Sequence, residues 1–464
     1  MKKKFLVFLS IVSLLFEASV FSSGVSAEVA DKKVSSPINS QSAKLLQGKT
    51  SVSVSDYNKI SLNDAIDYAL KHNLDLSGNR LNIDIAKNDI KVANRLQNPD
   101  FQSFFNIGKV WREEPNNFGL VLPVEIGKRG VRKKLAKSNL ELVKGNVELA
   151  ELQLKLDVRE TYVDLVASKS ILKILDEQKK LFSDLYDIAQ KKYQAGAVPE
   201  TDVIQAKITL NQLLIQYNSA NTDVYIARNR FNSLLNAKDF DSKEDYLPSY
   251  KDSIKMLTPS PRCKLPDFNS IVEIALQKRI DLQNSLKEID VAQKNLKVVI
   301  RQRIPDIELG AGRQFMTRNS TEDWKSETGG YIAGNITNIP LFYQYTPEIK
   351  NAKIAVDQKQ LAYDSLRVKV VNDVNSSYDR FITAKDNLNY YTDNMMTESE
   401  QFLKMSKRSY EVGKTNITNL IYIEQSYKSI VTGYVTALAE YNDAWVDFLR
   451  EVNDEDFNLG GQDI

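Results

Sequence analysis

Apolar residues recur along this chain with two different periods, and the changes between them mark out its elements. Leu62, Ala65, Ile66, Ala69 and Leu70 fall at helical spacing behind Ser61, a capping residue type, which predicts a short first helix. A second helix is predicted from about Leu76 to Gln97, where Pro99 stops it. The period then drops to two. Ile307, Leu309, Ala311 and Phe315 alternate with Asp306, Glu308, Gly310, Gly312 and Gln314, predicting a strand with an apolar face opposite a polar, glycine-rich one. An earlier stretch places Phe101, Phe105, Ile107 and Trp111 on one face and returns through Phe118, Leu120, Leu122 and Val124. Two hairpins, four strands in all, are therefore expected. Such alternation fits a transmembrane strand between lipid and a wet lumen, and an ordinary soluble hairpin fits either one equally well.

Between the hairpins the helical period returns at great length. From Lys128 to Ala195 no proline interrupts, some 65 residues or roughly 100 Å at 1.5 Å per residue. Leu135, Leu142, Leu149, Leu156 and Val163 recur every seven residues, and Leu140, Val147 and Leu154 make a second such series on another flank. The device returns in Ile349, Val356, Tyr363 and Val370 beside Ile354, Leu361 and Val368. Two seams on one helix call for a neighbour on each side, as in a ring of helices; an extended two-helix hairpin with a broad apolar stripe is the plainer alternative. A descending helix from about Glu200 to Asn236 matches the long one only if stacked end to end with the helix from Leu76 to Gln97.

These elements occur twice. Asp75, Leu76, Ile83, Asp84, Ala86, Lys91, Val92, Arg95 and Pro99 reappear 206 positions on as Asp281, Leu282, Ile289, Asp290, Ala292, Lys297, Val298, Arg301 and Pro305. Further along the offset is 216 or 217, pairing Ala136 with Ala352, Tyr193 with Tyr410 and Gly196 with Gly413. The chain thus divides into a first repeat at 59–236 (hairpin about 100–126), a Pro-rich connector at 237–266, a second repeat at 267–453 (hairpin about 305–341) and a tail at 454–464. Four strands cannot close a barrel, for which about eight are the practical minimum; three copies would supply twelve.

Composition narrows the chemistry. Glycine (18) and proline (12) are scarce in 464 residues, as long helices require, and a net charge of +2 gives no reason to expect a nucleic-acid partner. One cysteine, Cys263, and one histidine, His72, exclude a disulfide framework and a His/Cys zinc site, and no catalytic, metal or cofactor motif is found, so an enzyme is not expected. Met1 to Lys4 is basic, Phe5 to Phe16 is apolar and Val25, Ser26 and Ala27 form a cleavage pattern: a signal peptide at 1–27, followed by a polar, disordered arm at 28–58. Beyond residue 30 no apolar stretch reaches spanning length, so any membrane crossing would use strands. Lys128, Arg129, Arg132, Lys133 and Lys134 cluster where strand passes into helix and read as a solvated charge run.

The signal peptide, duplicated helix–hairpin–helix units, seven-period helices and a Tyr-x-x-Gly turn in each half (Tyr193 to Gly196, Tyr410 to Gly413) resemble the TolC outer-membrane efflux protein family. The resemblance covers about Ser61 to Asn453. The stretches Pro123 to Arg129 and Pro340 to Phe342 are similar to its heavy-metal cation efflux branch. What the resemblance implies is a mainly α homotrimer, with an α-helical barrel crossing the periplasm and a 12-stranded β-barrel through outer-membrane lipid. Such a conduit docks an inner-membrane pump through a periplasmic adaptor. It also implies that Tyr193, Gly196, Tyr410 and Gly413 form the adaptor-docking tip. The periplasmic gate would lie at Asp202, Asn419 and Tyr422, the last two replacing acidic residues so that Tyr422 closes the path sterically. A type I protein secretion conduit and a non-pore coiled-coil structural or adaptor protein are the competing readings.

Overall fold

A computed structural model describes residues 61–104, 116–236, 268–319 and 324–453. The expected signal peptide, N-terminal arm, connector with Cys263 and tail lie outside the described residues, as do Phe105, Ile107 and Trp111. The first repeat consists of α1 (Leu62–His72), α2 (Leu74–Ala93), β1 (Asp100–Phe104), β2 (Asn116–Val124), α3 (Lys128–Gln194) and α4 (Glu200–Leu235). The second consists of α5 (Phe268–Lys278), α6 (Ile280–Arg301), β3 (Asp306–Asn319), β4 (Trp324–Thr337), α7 (Thr346–Tyr390), a π-helical turn (Tyr391–Met395), α8 (Met396–Glu411) and α9 (Ile417–Val452).

Local chemistry sets the boundaries. Ser61 caps α1, its Oγ accepting from the Asp64 N–H at 3.2 Å. α2 ends at Ala93 rather than Gln97: the Arg95 N–H closes on the Val92 carbonyl, and Pro99 disfavours helix in the residue before it. α3 runs for 67 residues without a break. The second repeat does not copy it, because α7 stops after 45 residues at the π turn.

Along α3, α2 and then α4 pack on one side, α6 and then α9 on the other, and α7 lies against both α6 and α9. The end-to-end stacking expected from helix lengths is present. The Asn73 side chain caps α2 through the Leu76 N–H (2.9 Å) and also donates to the Leu234 carbonyl at the end of α4 (3.0 Å). In the second repeat Arg279, just before α6, pairs with Glu451 of α9 at 2.5 Å. Both seams of α3 are occupied: Val147, Leu154, Leu156 and Val163 are buried. On α7 only one is. Val370 is fully buried, while Ile354, Leu361 and Val368 are 52%, 69% and 64% exposed. Across the packing order, α2 exposes more than half of Leu74, Leu81, Ile85 and Val92.

The four strands form one antiparallel sheet in chain order, so β2 of the first repeat pairs directly with β3 of the second. Leu120 stands beside Ala311 and Ile332, and Val124 beside Ile307 and Ile336, making an exposed apolar face. On the other face Tyr331 lies across Gly119 and Gly312, where an added Cβ would come within 2.5 and 2.7 Å of its ring or hydroxyl. The basic cluster at the strand–helix junction is more than a solvated run. Lys128 pairs with Asp306 of β3 at 2.7 Å, Arg132 clasps Glu125 with two 2.5 Å bonds, and Arg129 donates to Asn94. These contacts hold the strands to the helices. No helix among the described residues is long and apolar enough to cross a membrane.

Candidate functional site at the helical turns

At the end of α3 farthest from the sheet the chain reverses through the first Tyr-x-x-Gly turn, and α8 ends in the second. Both close in the same way. The Gly196 N–H bonds to the Tyr193 carbonyl (2.8 Å) and Ala197 to that of Lys192 (2.8 Å); Gly413 bonds to Tyr410 (3.1 Å) and Lys414 to Ser409 (2.8 Å). This pair of bonds terminates a helix with a left-handed residue, and the glycines stand at φ 71° and 73°. Glycine is needed for that backbone angle alone, since a Cβ at either position would meet nothing within 4 Å. The space above both turns is open.

The two turns touch each other. Lys192 Nζ donates to the Tyr410 hydroxyl at 3.2 Å and sits 4.3 Å from the centre of its ring. Tyr410 also packs on an apolar cluster of Phe182, Leu185, Ala206, Leu213, Ile417 and Ile421, which welds the ends of α3, α4 and α9 together. Tyr193 is 43% exposed. Lys192 was not legible as part of the tip, because its partner lies 218 positions away.

The gate candidates occupy the starts of the returning helices. Asp202 lies in the first turn of α4, half-buried. Asn416 caps α9 by accepting from the Asn419 N–H (2.9 Å), and the Asn419 side chain donates to Thr415 (2.9 Å). Tyr422, one turn further, is 69% exposed. Among the described residues no hydrogen bond or ion pair joins Asp202, Asn419 and Tyr422 to one another, so within one chain they do not form a closed cluster. Glu424 is a charge the sequence reading passed over: it is fully buried, with Lys407 of α8 2.8 Å away as its counter-ion. That pair links α8 and α9 by charge, while neither Glu424 oxygen has a hydrogen-bond partner among the described residues.

Such a site can hold helix ends together, present a surface and narrow a passage. The profile of the family described as outer membrane efflux protein matches residues 65–237 and 271–448, one segment in each repeat. Among solved structures, the fold is similar to the CmeC outer membrane channel of Campylobacter jejuni (TM-score 0.68, 18% identity, 92% of this chain and 90% of that one). It is also similar to the open state of the MtrE outer membrane channel of Neisseria gonorrhoeae (TM-score 0.64, 16% identity, 84% and 88%). In sequence the chain is 25% identical over 197 residues to the fusaric acid resistance protein FusA of Burkholderia cepacia, covering 42% of this chain and 35% of FusA. It is 23% identical over 155 residues to nodulation protein T of Rhizobium leguminosarum bv. trifolii, covering 32% and 31%. The matched stretches span about a third of the length of these curated relatives. With both repeats matched by the profile and the four-stranded sheet and stacked helices in place, the chain belongs to the outer membrane efflux protein family.

Proposed function

We propose that three copies of this chain assemble into a conduit across the outer membrane, continued by an α-helical tunnel into the periplasm. The observation that carries this reading is the set of bare apolar faces on a single chain. Ile354, Leu361 and Val368 on α7 and Leu81, Ile85 and Val92 on α2 are exposed at the two flanks of one helical layer. Joining α7 of one copy to α2 of the next would bury both stripes. The same operation would bring β4 beside the next copy's β1 and close twelve strands with their apolar faces toward lipid. Tyr193, Gly196, Tyr410 and Gly413 then form the surface that meets a periplasmic adaptor of an inner-membrane pump. Asp202, Asn419 and Tyr422 line the narrow end. Small solutes are the cargo, a reading supported by similarity to a protein named for fusaric acid resistance. Crosslinking of detergent-extracted membranes is expected to give three-chain species, and planar bilayers holding that species should conduct. A monomer recovered from the soluble periplasmic fraction would overturn the proposal.

A further inference from the structure

A groove of about 820 Å³ runs between the first turns of α3 and the last turns of α6, lined by Lys134 and Lys137 on one side and by Lys287, Lys294, Lys297 and Arg301 on the other. Two carboxylates also line it, and both are engaged. Asp290 accepts from Ser138 and from Lys294 (2.9 Å), and Glu141 pairs with Lys144, one turn along α3, at 2.8 Å. Lys287 donates to Asn284 at 3.1 Å. Among the described residues Lys134, Lys137, Lys297 and Arg301 make no side-chain hydrogen bond or ion pair, and all four are exposed. Like charges gathered along one groove repel each other, and an anion seated between them relieves that repulsion.

The groove faces away from the passage that a ring of these helices would enclose. The two seams of α3, at Leu135 and Leu140, stand about 140° apart, and Asn139 lies within that narrower arc. A helix in a closed ring turns its narrower arc inward, whereas Lys134, Lys137 and Glu141 lie in the wider one. Steps of seven residues along α3 lead from Lys137 to Val158 and Leu165 and from Lys134 to Tyr162, where α1 covers the same face with Leu62, Ala65 and Ala69. The groove also lies within one chain, so joining α7 to the next copy's α2 leaves it open.

Its height matches a membrane edge. Lys134 and Lys137 lie about 9 and 14 Å along the helix from Lys128, and Arg301 ends α6 just before β3. Headgroups extend roughly 5–8 Å beyond each side of the hydrocarbon, and lysine stems carry their charges further toward them. Arg303 donates to the Gln344 carbonyl (2.7 Å) and so holds the linker into α7 at this level, where Leu341 and Phe342 are exposed. Apolar surface thus gives way to cationic surface where lipid would give way to water.

We propose that this groove docks an anionic phospholipid of the leaflet on the periplasmic side, its phosphate against Lys134, Lys137, Lys297 and Arg301 and its acyl chains rising along the apolar strand face. The proposal rests on the conduit reading above. The turns at the far end of α3 lie about 80 Å away, beyond reach of whatever meets them there.

Native mass spectrometry of detergent-extracted trimers, with phosphatidylglycerol and phosphatidylethanolamine added in equal amounts, tests it. The native trimer is expected to retain phosphatidylglycerol at least about five-fold more, and the combined Lys134→Gln, Lys137→Gln and Lys297→Gln variant should retain both alike. Lys191→Gln, Lys207→Gln and Lys404→Gln together remove as much charge near the turns and should leave the preference intact. No preference in the native trimer, an unchanged preference in the groove variant, or an equal loss in the control variant overturns the site. Loss of adaptor crosslinking in the groove variant with lipid retention unchanged would give the groove to a protein, and overturns it equally. If the groove variant fails to assemble, Lys137→Gln alone should lower the preference about two-fold, and an unaltered value overturns the site. A chain recovered only as a soluble monomer overturns the conduit reading instead. Flotation with phosphatidylglycerol vesicles but not with phosphatidylcholine vesicles would then uphold the groove, and equal flotation would overturn it.

Discussion

Asp443, on α9, is a carboxyl group that burial holds back from ionising. One of its carboxylate oxygens is buried without a hydrogen-bond partner. Burial pushes its pKa up to about 7, assisted by Asp164, Glu160 and Asp447 and opposed by Arg380. Because the folded value lies above the ordinary 3.8, the folded chain holds the extra proton. The contribution of Asp443 to stability is therefore fullest below about pH 4, falls as pH rises toward 7 and is level above that, a loss on the order of 2–4 kcal/mol. Asp443→Asn should raise stability at pH 8 by roughly 1–3 kcal/mol and give no gain at pH 4, read from unfolding of the detergent-solubilised protein at both values. The turn glycines pose a different test. Asn tolerates a positive φ better than Ala, and the space above both turns is open. Gly196→Asn and Gly413→Asn are expected to leave trimers intact while adaptor crosslinking falls, and normal crosslinking in the double variant would assign the glycines to helix termination alone.

For the helices and strands, the seams make the sharpest prediction. Leu361→Glu places a charge on the bare stripe of α7, where it is harmless to an isolated chain but unpaired once α2 of a neighbour covers it. Three-chain species should disappear while helical circular dichroism is retained; Val370→Glu, at a fully buried position, should lose both. That stripe was readable from the sequence because a seven-residue period survives any detail of packing. The turns were readable too, since a Gly after a long helix has a local backbone reason. What was not readable depends on which elements meet. The charges from Lys128 to Arg132 look like a solvated run until β3 brings Asp306 against Lys128. Lys192 and Tyr410 become partners only when two turns from different repeats converge. A change of offset between the repeats announces one extra residue but not the turn that houses it, because helix periodicity resumes in phase on both sides.

The whole molecule adds one expectation. If three copies bring their Tyr422 side chains toward a common axis, the channel should conduct weakly until they are cut back. Tyr422→Ala is then expected to raise single-channel conductance several-fold in planar bilayers, and an unaltered value would move the constriction elsewhere. A mechanical consequence follows from the stacked helices. The joints between α2 and α4, at Asn73 and Leu234, and between α6 and α9, at Arg279 and Glu451, lie beside α3, which passes them without a break, and α7 runs unbroken past the second. Bricklayers stagger joints for the same reason: a crack that starts in one course meets solid material in the next. In the proposed tunnel each spliced pair would stand beside α3, and that one uninterrupted helix would carry a side load past both joints.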